Sequence, residues 1–150
     1  FERLRAINPQ MVPASSNKPI PKLEAGASLR LLPESELAKS IVPEAGLVIK
    51  RFPFNVGRKS RDPLTRNDLS IEDEKPYTVS RDHFAFDYRQ GQIVVRDRGS
   101  YLGLLVNGEH IGGDKDHKAV SLEAGNNLIV LGKDESAFRF KVEIEDSGTV

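Results

Sequence analysis

The stretch FRFKVEIE, residues 138–145, alternates without a break: Phe138, Phe140, Val142 and Ile144 fall on one side, Arg139, Lys141, Glu143 and Glu145 on the other. Successive strand side chains point to opposite faces, so this period of two predicts a half-buried β-strand. HFAFDY repeats the pattern, with Phe84, Phe86 and Tyr88 opposite His83, Ala85 and Asp87. From Ala27 onward the chain is a series of short apolar stretches punctuated by turn residues, the signature of an all-β sandwich or barrel and not of alternating βα units. SLRLL is the first strand. ESELAKSI has room for one or two helical turns, and LVIKRFPFNVG reads as a strand broken or bent at Pro53. YRQGQ separates HFAFD from IVVRD as a hairpin loop. Asn107-Gly108, after LLV, is the dipeptide suited to a type I′ turn, where both central residues need positive φ. NNLIVLG adds a strand flanked by Gly125 and Gly132, and no internal repeat interrupts the series.

Residues 1–22 have a different texture. Pro9, Pro13, Pro19 and Pro21 are spaced as no helix or central strand tolerates, so 1–22 is expected to be a Pro-rich linker tethering the domain N-terminally to another one. The domain itself is expected to span 23–145, with a flexible tail at 146–150. A chain of 150 residues holds one such domain and not two. Its 22 Lys and Arg balance 22 Asp and Glu, so no global field draws it to nucleic acid or to an anionic membrane. The absence of Cys removes disulfides, thiolate nucleophiles and Cys-based zinc sites. No apolar run approaches the ~18 residues of a membrane span, and there is no signal-peptide pattern.

Ser80-Arg81-Asp82-His83 invites a catalytic reading, but a nucleophilic triad usually converges from separate segments, with the base in reach of the hydroxyl and the acid behind it. These are neighbours leading into a strand, where residues three apart point to opposite faces, and no G-x-S-x-G elbow accompanies the Ser. His83, His110 and His117 match no common zinc spacing. Asp68, Glu72, Asp73 and Glu74 lack the Gly and terminal Glu of a calcium loop. VGRKS lacks the first Gly and the Lys of a nucleotide phosphate loop. No enzyme activity, metal or cofactor is expected.

Basic chemistry on loops remains. Lys50, Arg51, Arg58, Lys59, Arg61 and Arg66 face one acid, Asp62, over 50–66, a local anion-site candidate in a neutral chain. A guanidinium pairs with phosphate through planar bidentate hydrogen bonds, and Ser hydroxyls and backbone N–H groups complete such sites. Arg58 and Ser80-Arg81, each beside a strand end, could act together if the fold brings their loops side by side. The alternative of nucleic-acid binding by this loop with Phe52 and Phe54 is opposed by the neutral total and by the expected burial of both rings.

The order of the motifs then decides. VGRKS, NDLSI, VSRDHF, VRDRGSYLGLLVNG and SLEAGNNLIVLG resemble, in sequence and spacing, the forkhead-associated (FHA) domain family over about residues 27–145. The resemblance implies an all-β fold, a sandwich of two twisted, mostly antiparallel sheets, with loops at one end that bind phosphothreonine peptides. It assigns phosphate contact to Arg58 and Ser80, an assisting role to Arg81, and places along the peptide to Lys59, Tyr101 and Leu102. Gly57, His83, Asn107 and Gly108 become structural supports. The implied partner is a phosphothreonine-containing protein, or a phosphorylated segment of the parent chain, in an intracellular, cytoplasmic setting, with no nucleic acid and no membrane. Two departures stand out. Leu102 replaces the family Asn that hydrogen-bonds the peptide main chain, with Leu104 in place of the Thr, and RDPLTR and EKPYT lengthen the segment from Arg58 to Ser80. Leu102 favours an alternative, a degenerate FHA scaffold that binds a partner independently of phosphate.

Overall fold

The computed structural model describes residues 20–24 and 26–144. Most of the expected linker and all of the expected tail lie outside the described residues. The strands are β1 (Leu29–Pro33), β2 (Leu47–Ile49), β3 (Phe54–Arg58), β4 (Leu69–Ile71), β5 (Phe84–Arg89), β6 (Gln92–Asp97), β7 (Leu104–Val106), β8 (Glu109–Ile111), β9 (Ala119–Ser121), β10 (Gly125–Leu131) and β11 (Arg139–Ile144). They form a six-stranded sheet in the order β2-β1-β11-β10-β7-β8 and a five-stranded sheet in the order β4-β3-β5-β6-β9. All pairs are antiparallel except β3 with β4. The two sheets form the sandwich expected from the sequence.

Both sheets feed one core. Leu29, Leu31, Ile129, Leu131, Phe140 and Val142 come from the first sheet, and Val56, Ile71, Phe84, Phe86, Ile93 and Val95 from the second. Strand β11 shows the expected alternation along its length, with Phe140, Val142 and Ile144 buried and the charged residues between them half-buried. Phe84 and Phe86 lie edge to face at 5.2 Å, an arrangement that aligns the positive ring edge with the negative face.

Strand β5 departs from the expected half-burial: Phe84, Ala85, Phe86 and Asp87 are all buried. It is an interior strand between β3 and β6, and its outward face is roofed by ions. Arg96, paired with Ala85 in the ladder, sends Nε to Asp87 Oδ2 at 2.6 Å, and Arg89 Nη2 reaches the same oxygen at 3.0 Å. The hairpin after β5 is also tighter than the sequence suggested. Only Gln90 and Gly91 turn, with φ of 53° and 78°, and Arg89 already pairs with Gln92. LVIKRFPFNVG is broken and not bent: β2 ends at Ile49, β3 begins at Phe54 just after Pro53, and the two lie in different sheets. ESELAKSI supplies a single 3-10 turn, Ala38–Ser40, which buries Ala38. Asn107 and Gly108 do form the β7–β8 turn, at φ 52° and 85°. Asn107 also accepts from Leu128 N–H at 2.9 Å, tying that turn to β10.

Phe86 has no exposed surface and Leu64 is 85% exposed. Phe86→Ala should therefore lower the unfolding free energy by ~3–5 kcal/mol, and Leu64→Ala by less than ~0.5 kcal/mol, as read by urea titration.

Candidate functional site

The segments that follow β3, β4, β6 and β8 meet at one end of the sandwich, and Gly57 sets how closely. A Cβ on Gly57 would stand 1.9 Å from the carbonyl oxygen of Arg81. Only a residue with no side chain lets β3 run against the segment ahead of β5. Across that contact Arg58 N–H donates to Ser80 O at 2.8 Å, and the Asn67 amide donates to Arg81 O at 2.9 Å.

Behind this junction lies His83, with no exposed surface. Its Nδ1 accepts from Ser80 N–H at 3.0 Å, so Nε2 carries the proton that it donates to Gly103 O at 2.8 Å. Burial lowers its pKa from 6.5, against opposing contributions from the Gly103 hydrogen bond and the Asp97 charge. Ser80 Oγ accepts not from His83 but from Tyr101 N–H at 2.9 Å. The imidazole spends both nitrogens on backbone groups of two loops, and is not set against the hydroxyl as a base would be.

The β6–β7 turn is clasped by Asp97. Its Oδ2 accepts from Gly99 N–H at 2.9 Å and Ser100 N–H at 3.2 Å, while Ser100 Oγ donates to Oδ1 and accepts from Gly103 N–H at 3.0 Å. Gly103, at φ +74°, turns the chain so that its carbonyl meets His83.

These segments enclose an open cleft of about 560 Å³, rimmed by Arg58, Ser80, Arg81, Arg98 and Tyr101, with Asp82 and Asp114 also on its wall. Arg58 is half-buried, its Nη1 donating to Val79 O at 2.9 Å. Arg81 is more exposed and pairs with Asp62 at 3.2 Å. Arg98, whose side chain is 14% exposed, donates to Asn67 Oδ1 at 2.7 Å and Asp82 Oδ1 at 3.0 Å.

Of the residues singled out by sequence, Arg58, Ser80, Arg81 and Tyr101 share this cleft. Lys59 instead pairs with Glu72 at 3.5 Å and lines an adjoining recess with Ser60 and Arg61. Leu102 lies outside the cleft lining; it is half-buried, near Gly132, and its carbonyl bonds His110 Nε2 at 3.0 Å. Asn107 and Gly108 are at the far end of the β7–β8 hairpin. Arg98 and Asn67 were in motifs quoted from the sequence but had no role there. Among the described residues there is no cluster of three or more His, Asp or Glu placed to hold a metal, and no helix long and apolar enough to cross a membrane.

The FHA domain family profile matches residues 54–132, more than half of the 150-residue chain, and the chain belongs to that family. Solved structures agree in fold. The kinase-interacting FHA domain of the Arabidopsis kinase-associated protein phosphatase is 24% identical, with 81% of this chain and 96% of that one covered at a TM-score of 0.55. The FHA domain of Chlamydia trachomatis CT664 is 18% identical, with 78% and 97% covered at 0.55. Mycobacterium tuberculosis EmbR, solved with a low-affinity phosphopeptide, is 21% identical at 0.54; the match covers 81% of this chain and a quarter of EmbR. No curated protein matches.

His83 carries a pH signature. Its pKa is lower folded than the 6.5 it has unfolded, so between the two values the unfolded state binds more protons. The stability it confers is complete above about pH 6.5 and is lost as pH falls toward the folded pKa. His83→Ala should cost ~1–3 kcal/mol at pH 7.5, and unfolding titrations from pH 7.5 to 5 should show a flatter profile for the variant than for the parent.

Proposed function

We propose that this FHA domain is a phosphothreonine-dependent interaction module, its partner a phosphothreonine-containing protein or a phosphorylated segment of the parent chain. The observation that carries the reading is the convergence of Arg58, Ser80 and Arg81, from two separate segments, on one open cleft. Arg58 has one nitrogen committed to Val79 O and keeps other in-plane N–H groups for an anion. Ser80 Oγ, already accepting from Tyr101 N–H, retains its own proton to donate. Arg81 assists: its pairing with Asp62 is an exposed one, worth ~0–1 kcal/mol, against which a phosphate of charge about −2 competes well. Gly57 and His83 hold the loops in register. The family likeness, and EmbR with its phosphopeptide, support the same ligand class.

A second reading, a scaffold that binds its partner without phosphate, is favoured by Leu102. A leucine side chain offers no hydrogen bond to a peptide main chain, and this one lies outside the cleft lining. Calorimetry with a phosphothreonine peptide and its unphosphorylated twin separates the two readings, since equal binding of both would sink the first.

Arg58→Ala should cost ~2–5 kcal/mol of phosphopeptide affinity, while Arg66→Ala should cost under ~1 kcal/mol; equal losses would mean a diffuse basic surface. Binding should weaken below about pH 6, where the phosphate takes up its second proton. Leu102→Asn should tighten binding by up to about tenfold if the new amide reaches the peptide main chain.

A further inference from the structure

Tyr77 is outside the cleft lining, in the segment between β4 and β5, yet its ring lies against the guanidinium of Arg58, with Cζ 3.7 Å from the ring centroid. At that distance the ring quadrupole attracts the cation directly. A contact at Cζ does not use up the N–H donors of the group, and among the described residues its side chain donates one hydrogen bond, from Nη1 to Val79 O. The ring and the carbonyl are two separate restraints on the same guanidinium. Together they hold a side chain that is otherwise rich in rotamers.

Both restraints hang on one clasp. Asp73 Oδ2 accepts from Thr78 N–H at 2.7 Å and Val79 N–H at 2.9 Å, and Oδ1 accepts from Glu74 N–H at 2.9 Å. The carboxylate thus closes the loop that presents the Tyr77 ring and the Val79 carbonyl. Tyr77 is 40% exposed and is no part of the core cluster, so packing of the fold does not account for where its ring sits. Of the two segments that the sequence reading marked as insertions, EKPYT is the one that brings this ring.

We propose that Tyr77 is a positioning residue for Arg58, holding the guanidinium preformed for an anion in the cleft, with Asp73 anchoring the loop that carries it. The inference rests on the reading of the cleft as a phosphate site. It makes the inserted loop part of the affinity of the site without any contact between Tyr77 and the ligand. Preformation removes the ordering cost that a free arginine side chain would meet on binding.

The test takes the tightest phosphothreonine peptide selected from a random-flank library and titrates it against the parent, Tyr77→Leu, Tyr77→Phe and Tyr77→Trp. Tyr77→Leu should weaken binding about three- to tenfold, while the two aromatic variants stay within about twofold of the parent. In the Arg58→Lys background the Tyr77→Leu effect should shrink, because the ring no longer has a planar fork to orient. Without ligand, the Arg58 Nε–Hε resonance should carry a ring-current shift in the parent and lose it in Tyr77→Leu, with the thermal midpoint little changed. Tyr77→Leu binding as tightly as the parent would overturn the proposal, as would Tyr77→Phe as weak as Tyr77→Leu, or an undiminished effect in the Arg58→Lys background. A parent that binds no phosphothreonine peptide sinks the phosphate reading and this inference together, whereas a parent that binds beside an unaffected Tyr77→Leu sinks this inference alone.

Discussion

The loop end of the sandwich that carries the cleft depends on a single buried imidazole. His83 joins the backbone N–H of Ser80 to the backbone carbonyl of Gly103, in two loops on either side of the β5–β6 hairpin. Each of those backbone groups would be costly to bury unpaired, so the neutral imidazole, able to accept at one nitrogen and donate at the other, satisfies both at once. A carboxylate could only accept and an ammonium could only donate. Burial favours the neutral state that this exchange requires, and so the depressed pKa and the loop geometry have one cause.

Around that clamp the site is assembled mostly from side chains bonding backbone. Asp97 gathers the N–H groups of Gly99 and Ser100, and Asp73 those of Glu74, Thr78 and Val79. Short turns of this kind have no ladder in which to pair their N–H groups, and a carboxylate with two oxygens can take several of them. Gly112 completes the arrangement, since a Cβ there would fall 2.3 Å from an Asp97 carboxylate oxygen. The loops are therefore fixed from within, by their own side chains.

Much of this was legible in the sequence. The period of two in FRFKVEIE and the Asn107-Gly108 turn are local signals with local causes, and both appear as expected. The outward face of β5 was not legible, because its burial comes from Arg96 and Arg89 closing over Asp87, an event of sheet register and not of hydrophobic pattern. Pro53 signalled an interruption, but nothing local said that the two halves would join different sheets. In the candidate site, Arg58, Ser80 and Arg81 could be named from motif order, whereas Lys59, next in sequence to Arg58, faces Glu72 in the adjoining recess. Adjacent residues at a strand end point to opposite sides. The stacking of Tyr77 on Arg58 was invisible because it joins residues nineteen apart through a loop whose path is set by the Asp73 clasp.

Three arginines rim the cleft, and their existing partners divide them into different kinds of group. Arg98 is nearly buried and already satisfied by Asn67, Asp82 and backbone carbonyls, so drawing it to a new anion would strand those partners. Its charge contributes to the field of the cleft while its hydrogen bonds hold the walls together. Arg81 is exposed, and the Asp62 carboxylate is a weak competitor in water. Arg58 lies between these extremes: half-buried, oriented by a ring and one carbonyl, and with no carboxylate partner among the described residues. On the proposed reading, an anion entering the cleft would meet its least contested donors at Arg58, displace a surface ion pair to gain Arg81, and leave Arg98 in place. Partner inventory, more than the number of positive charges, sets the order in which these side chains can respond.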